Sequence, residues 1–158
     1  VEVDSIFKTT FGMTFRPFNG FIIRGYSDIM KKDYTQTSLA LMAGYSVKKF
    51  RAGIEYNLQT NKDMIDGNDL SGISVYASQG LSEKFSIFAR YDYLEATSPD
   101  NAMEAGDIIE KDGQLFIAGF DYTPLKGLKI APSYFGYAPK DKSQSFTSKF
   151  GLYFEIRY

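Results

Sequence analysis

The sequence predicts an all-β fold: an antiparallel, up-and-down sheet of about nine strands, of the kind that closes into a transmembrane β-barrel. Three observations predict it. Apolar and polar residues alternate with a period of two in segments of roughly ten residues, the length a tilted strand needs to cross a bilayer. The connections between segments alternate between tight and long. Rings collect at the ends of the apolar faces, in a chain with 14 Phe, 12 Tyr and no Trp.

Successive side chains of a strand point to opposite faces, so each segment can be divided residue by residue. In the first, Phe7, Thr9, Phe11, Met13 and Phe15 share one face and Lys8, Thr10, Gly12, Thr14 and Arg16 the other, before a turn through Pro17 to Gly20. The second sets Phe21, Ile23 and Ile29 against Arg24, Tyr26 and Asp28; the third sets Leu39, Leu41, Ala43, Tyr45 and Val47 against Ser38, Gly44 and Ser46. The fourth separates most completely, with Phe50, Ala52, Ile54, Tyr56 and Leu58 opposite Arg51, Gly53, Glu55, Asn57 and Gln59. The fifth alternates Ile73, Val75 and Ala77 with Ser74, Tyr76 and Ser78, and the sixth Phe85, Ile87, Ala89, Tyr91 and Tyr93 with Ser86, Arg90 and Asp92.

The seventh places Phe116, Ala118, Phe120 and Tyr122 against Gly119 and Asp121. The eighth continues with Leu128, Ile130 and Tyr134, and its Pro132, lacking a ladder donor, predicts a bulge. The ninth sets Phe146, Ser148, Phe150, Leu152, Phe154, Ile156 and Tyr158 against Thr147, Lys149, Gly151, Tyr153, Glu155 and Arg157. Tight connections are expected at 17–20, 48–49, 82–84 and 124–127, and longer polar ones near 31–36, 60–70, 95–113 and 138–145, the rhythm of short turns at one membrane face and longer loops at the other. Phe15, Phe21, Tyr45, Phe50, Phe85, Tyr122 and Tyr158 mark the aromatic strand ends.

Composition narrows the chemistry. At 158 residues and 17.8 kDa, without a linker or composition break, residues 1–158 are expected to form one domain or the C-terminal portion of one. A net charge of -1 supplies no basic field for nucleic acid. Zero Cys and zero His remove disulfides, thiolate or imidazole metal sites and imidazole catalysis. No enzyme activity, cofactor or metal is expected. No run of about 18 apolar residues provides a membrane helix, whereas a barrel alternates and keeps mean hydropathy low, here -0.25. The start Val1-Glu2-Val3-Asp4 carries no export signal, so any such signal is expected to have been removed or to lie outside this sequence.

The ending Lys149-Phe150-Gly151-Leu152-Tyr153-Phe154-Glu155-Ile156-Arg157-Tyr158 resembles the β-signal of outer-membrane barrels: a polar residue, a glycine two later, then alternating apolar residues to a terminal ring. The resemblance implies recognition by the barrel-assembly machinery through Lys149, Gly151, Phe154, Ile156 and Tyr158. Residues 80–94, 113–129 and 146–158 resemble the last strands of porins from the Bacteroidota, including the phosphate-selective type. That implies the bacterial outer membrane, contact with its lipid, passive diffusion of small hydrophilic solutes with anions among them, and assembly as a homo-oligomer or in an outer-membrane complex. Complete bacterial barrels start at the periplasm and have even strand counts. A count of nine therefore predicts strands upstream of Val1, or one overlooked between Met103 and Lys111.

On the polar face, Arg24, Arg51, Arg90, Lys129, Lys149 and Arg157 are candidates to line a pore and attract anions, with Glu55, Asp92, Asp121 and Glu155 beside them. The plainer reading makes them structural cross-strand pairs, Arg51 with Glu55-like neighbours and Arg90 near Asp92-like ones. Asp63, Asp66, Asn68 and Asp69 offer hard oxygens around Gly67, but their spacing misses the calcium-loop pattern and suits an ordinary turn. The stretch Glu95 to Asp112 also carries Asp100, Glu104, Asp107 and Glu110 around Ile108-Ile109, as an exposed loop or one that folds inward. Two rival architectures remain. One is a closed eight- or ten-stranded structural or adhesive barrel, packed inside by Tyr26, Tyr76, Phe88 and Tyr153. The other is a soluble β-sandwich binding module whose core would be the aromatic face.

Overall fold

The computed structural model describes residues 6–97 and 112–157. Nine strands follow one another: β1 (Lys8–Phe15), β2 (Phe21–Lys31), β3 (Thr35–Val47), β4 (Phe50–Thr60), β5 (Asp69–Gly80), β6 (Phe85–Thr97), β7 (Gly113–Leu125), β8 (Leu128–Pro139) and β9 (Thr147–Ile156). Each pairs antiparallel with its neighbours in sequence, giving one sheet in the order β1 to β9. Among the described residues the only helical element is a 3-10 turn over Lys62–Met64, and no pairing joins β1 to β9, so the sheet is open.

The period of two accounts for this arrangement. One row of partners runs Phe21, Tyr45, Ala52, Ala77, Ala89, Ala118, Tyr134, Phe150, entirely on the apolar face. Another runs Arg24, Met42, Glu55, Ser74, Asp92, Leu115, Tyr137, Thr147 on the other face. A slip of one residue would exchange the two faces, so the pattern holds the register. The first row leaves β2 at its short-turn end and meets β9 near its long-connection end, so the strands are staggered in one sense across the sheet.

The apolar face is uncovered by any second layer among the described residues. Phe11, Ile23, Leu41, Ile54, Val75, Ile87, Phe120 and Phe154 are all exposed on it, and no large side chain is fully buried. Rings form two belts. Phe21, Tyr45, Phe50, Phe85 and Tyr122 lie near the short turns, with Phe85 stacked on Tyr122 at 4.6 Å. Tyr56, Tyr91, Phe116, Tyr134 and Phe150 lie further along, with Tyr91 against Phe116 at 5.1 Å and Tyr134 against Phe150 at 5.2 Å. Aliphatic residues and alanines fill the band between them.

The alternation of tight and long connections holds from β3 onward but fails at β2–β3, whose three residues are fewer than the five at 16–20. The β2–β3 connection shrinks to residues 32–34, because Lys31↔Thr35 and Met30↔Gln36 continue the ladder into the expected loop. The register shift on the β7–β8 side falls between Tyr122 and Leu125 rather than at Pro132. Around Pro132 pairing with β7 lapses without a change of register, and on the other side Pro132 keeps its place opposite Leu152. A missing donor thus interrupts the ladder, while the register shift itself lies within the ladder near the end of β7, before the turn at 126–127. The expected extra strand between Met103 and Lys111 lies outside the described residues.

The β4–β5 connection is folded on itself. The Asn61 N–H donates to Asp69 Oδ1 (2.9 Å), the Gly67 N–H to Asn61 Oδ1 (3.0 Å), and Asn61 Nδ2 to the Thr35 carbonyl (2.9 Å). The Asp63 N–H reaches Gln36 Oε1 at 2.8 Å. Gly67 has φ +71, and a Cβ there would meet nothing within 4 Å. Gly67→Ala is therefore expected to cost about 1 kcal/mol from backbone strain alone, and Gly67→Asn less, because Asn tolerates the left-handed region. Equilibrium unfolding followed by circular dichroism measures both; equal stability of the two variants would contradict this account.

Candidate functional site on the polar face

The register places Arg24, Arg51, Glu55, Arg90, Asp92, Asp121, Lys129, Lys149 and Glu155 on the one polar face, and Arg157, just past β9, joins them through Glu155. Within β6 Arg90 Nε meets both oxygens of Asp92, at 2.9 and 2.8 Å. Lys129 stands between Asp121 (3.7 Å) and Glu155 (3.4 Å), and Arg157 also pairs with Glu155. The cross-strand acid expected for Arg51 is not found: Arg51 has no carboxylate partner among the described residues, and Glu55 accepts from Asn57 Nδ2 at 2.8 Å. Arg51 and Glu55 sit on β4 four positions apart, about 13 Å along an extended strand, and Asn57 is closer. Lys149 lies over the Phe135 ring, 5.4 Å from its centroid. Pairs this exposed contribute little to stability, so their main effect is on the field at the sheet surface.

Two features escaped the sequence reading. Asp28 on β2 is buried, 3 % exposed, and one oxygen receives both Lys8 Nζ and Tyr26 Oη at 2.8 Å. Alternation put all three on the polar face, but only the register sets Lys8 and Asp28 two positions apart on neighbouring strands. The second is at the short-turn end. There a cleft of about 340 Å³ is lined by Lys48, Lys49, Arg51, Lys84 and Lys129, with Glu83 and Asp121. Lys48 and Lys84 belong to turns, and a strand-by-strand reading had no way to bring two separate connections together.

Large rings on this face lie flat. Tyr76 stands opposite Gly53 and its ring occupies the space a Cβ would take, 2.4 Å away; Phe88 does the same over Gly119 and Tyr153 over Gly151. Glycines thus give the rings room to lie along the sheet. A second concavity of about 420 Å³, lined by Tyr26, Ser38, Asn57, Gln59, Arg90 and Asp92 with Leu70 and Leu94, opens on the same face nearer the long connections.

The remaining candidates divide. Lys149, Gly151, Phe154 and Ile156 all lie on β9, which is hydrogen-bonded on one side only among the described residues; Tyr158 lies outside them. The acids of 63–69 do not converge: Asp63 pairs with Lys62 (3.0 Å), Asn68 Nδ2 donates to the Lys62 carbonyl, and Asp69 caps Asn61. Asp100, Glu104, Asp107, Glu110 and Ile108-Ile109 lie outside the described residues.

At the rim of that connection Glu95 pairs with Lys140 at 2.6 Å, and the buried Asp112 carbonyl receives the Lys140 N–H and Tyr137 Oη. Burial pushes the Asp112 carboxyl above its ordinary value, partly opposed by the Ala96 N–H. A raised folded-state value means that this group's contribution to stability is fully present below the ordinary carboxylate pKa and is lost as pH rises through the folded one. Asp112→Asn is therefore expected to be more stable than the parent at neutral pH and to lose that advantage near pH 4. Unfolding midpoints across pH 3–8 measure the difference, and a pH-independent gap would exclude this role for Asp112.

Comparison with protein-family models, with curated proteins and with solved structures gives no match to this chain.

Proposed function

We propose that this chain is part of an outer-membrane β-barrel that works as a passive channel for small hydrophilic solutes, with its apolar face against lipid and its polar face lining the pore. The observation that carries this reading is the pairing of an uncovered apolar face, belted by rings at two levels, with a polar face whose own rings are folded down onto glycines. In water such a face would demand a second layer; in a bilayer lipid supplies it. The dimensions agree. An 11-residue strand such as β2 or β4 is about 36 Å long, and a tilt near 40° projects it to about 28 Å, close to the apolar band of membrane barrels.

Closure of the sheet, a location in the bacterial outer membrane, delivery by the barrel-assembly machinery through the β9 ending, and association into oligomers belong to the same proposal. No His, Cys or cofactor chemistry is invoked. The lumen would select by charge and width alone.

The test is reconstitution of the native protein into planar lipid bilayers. Stepwise conductance that requires detergent-extracted, folded protein is the expected result. Protein that stays monodisperse without detergent and never conducts would overturn the channel and the membrane placement together.

A further inference from the structure

Turn chemistry gives the two ends of the sheet different charge. At the short-turn end the connections contribute Arg16, Lys48, Lys49, Lys84 and Lys126 against Glu83. Four of the cations that line the cleft there stand on or beside the polar face: Lys48, Lys49, Arg51 and Lys129. Lys49 is held by Glu83 at 2.5 Å and Lys129 faces Asp121 at 3.7 Å. Lys48, Arg51 and Lys84 have no carboxylate partner among the described residues. At the other end the connections 32–34, 61–68, 98–112 and 140–146 hold five Lys against nine Asp and Glu. Cations without partners at one mouth concentrate counter-ions within a Debye length, about 10 Å at 0.1 M salt and about 3 Å at 1 M.

We propose, resting on the channel reading above, that the short-turn mouth is a cationic vestibule that admits small anions preferentially and makes the pore pass more current in one polarity than in the other. When anions enter through the cationic mouth they are driven into the remainder of the lumen, where cations from the far side join them and local salt rises. With the opposite polarity that section empties of ions, and conductance falls. The asymmetry belongs to low salt, because screening at 1 M confines each charge to its immediate surroundings.

Single-channel recordings of the native protein in KCl test this. The expected current ratio between +100 and -100 mV is at least about twofold in 0.1 M KCl and near one in 1 M, with a reversal potential in a KCl gradient that reports chloride over potassium. In Lys48→Gln/Arg51→Gln/Lys84→Gln the 0.1 M ratio is expected to fall towards one and the reversal potential towards zero, with conductance in 1 M KCl kept as the sign of an intact pore. If the triple variant loses the pore, the double variant Lys48→Gln/Lys84→Gln, confined to exposed turns, makes the same measurement. Symmetric current from the parent at 0.1 M, or full asymmetry in a conducting variant, overturns the vestibule and leaves the channel standing. A parent protein that never conducts overturns the channel reading and the vestibule with it.

Discussion

Val75→Arg is expected to destabilise the folded protein in lipid by about 2–4 kcal/mol, whereas Ser74→Arg, one residue earlier, is expected to be nearly neutral. Val75 is exposed on the apolar face in the middle of β5, between Ile54 and Tyr91. On the membrane placement proposed above, an Arg there would hold its charge at the depth where the bilayer is driest. Ser74 stands on the polar face between Glu55 and Asp92, where a cation meets two carboxylates in water. The same chemical change on adjacent residues thus differs only in which solvent receives it. Denaturant unfolding in lipid vesicles measures both; a soluble sandwich would give the same ranking without lipid or detergent, because its protein core would penalise the buried Arg as well, so the measurement is repeated in plain buffer. Comparable costs for the two variants would remove the assignment of faces to lipid and water.

The second large effect is steric. Gly53→Val is expected to cost about 1–3 kcal/mol, because the Tyr76 ring already fills the space, with Oη and Cζ 2.4 Å from a Cβ at that position. Tyr76 cannot stay where it is, and lifting it projects a phenol away from the sheet. In a Tyr76→Ser background the same substitution is expected to cost less than about 1 kcal/mol, so a double-mutant cycle isolates the contact. The cycle also bears on the proposed channel: if the polar face lines a pore, Gly53→Val alone would raise the ring into it and lower single-channel conductance. Additive effects of the two substitutions would show that the flat ring is incidental.

Nearly all of the strand pattern was legible because alternation is a local signal that repeats. Phe50 to Gln59 declares its faces in ten residues, and β4 forms over Phe50–Thr60. Boundaries were less legible. Thr35 and Gln36 read as loop because they are polar, yet they extend the ladder opposite Lys31 and Met30; pairing overrode composition. Pro132 was expected to force a bulge, but the register change lies between Tyr122 and Leu125, near the end of β7.

For the site, alternation alone sorted Arg24, Glu55, Arg90, Asp121 and the others onto one face. It could not say which of them meet. Arg90 and Asp92 do, two residues apart on one strand; Arg51 and Glu55 do not, although both belong to β4. Lys8 with Asp28, and Lys49 with Glu83 across two different turns, are contacts between distant parts of the chain.

By itself, then, the sequence determined that this chain is a two-faced antiparallel sheet, since a period-two pattern in polarity is satisfied only by strands that present one face to an apolar phase and the other to water. The tertiary structure decided the partners along each row, the burial of Asp28, the rings lying on glycines, and the gathering of Lys48, Arg51 and Lys84 at one end. These depend on register and stagger across strands, which no single segment contains.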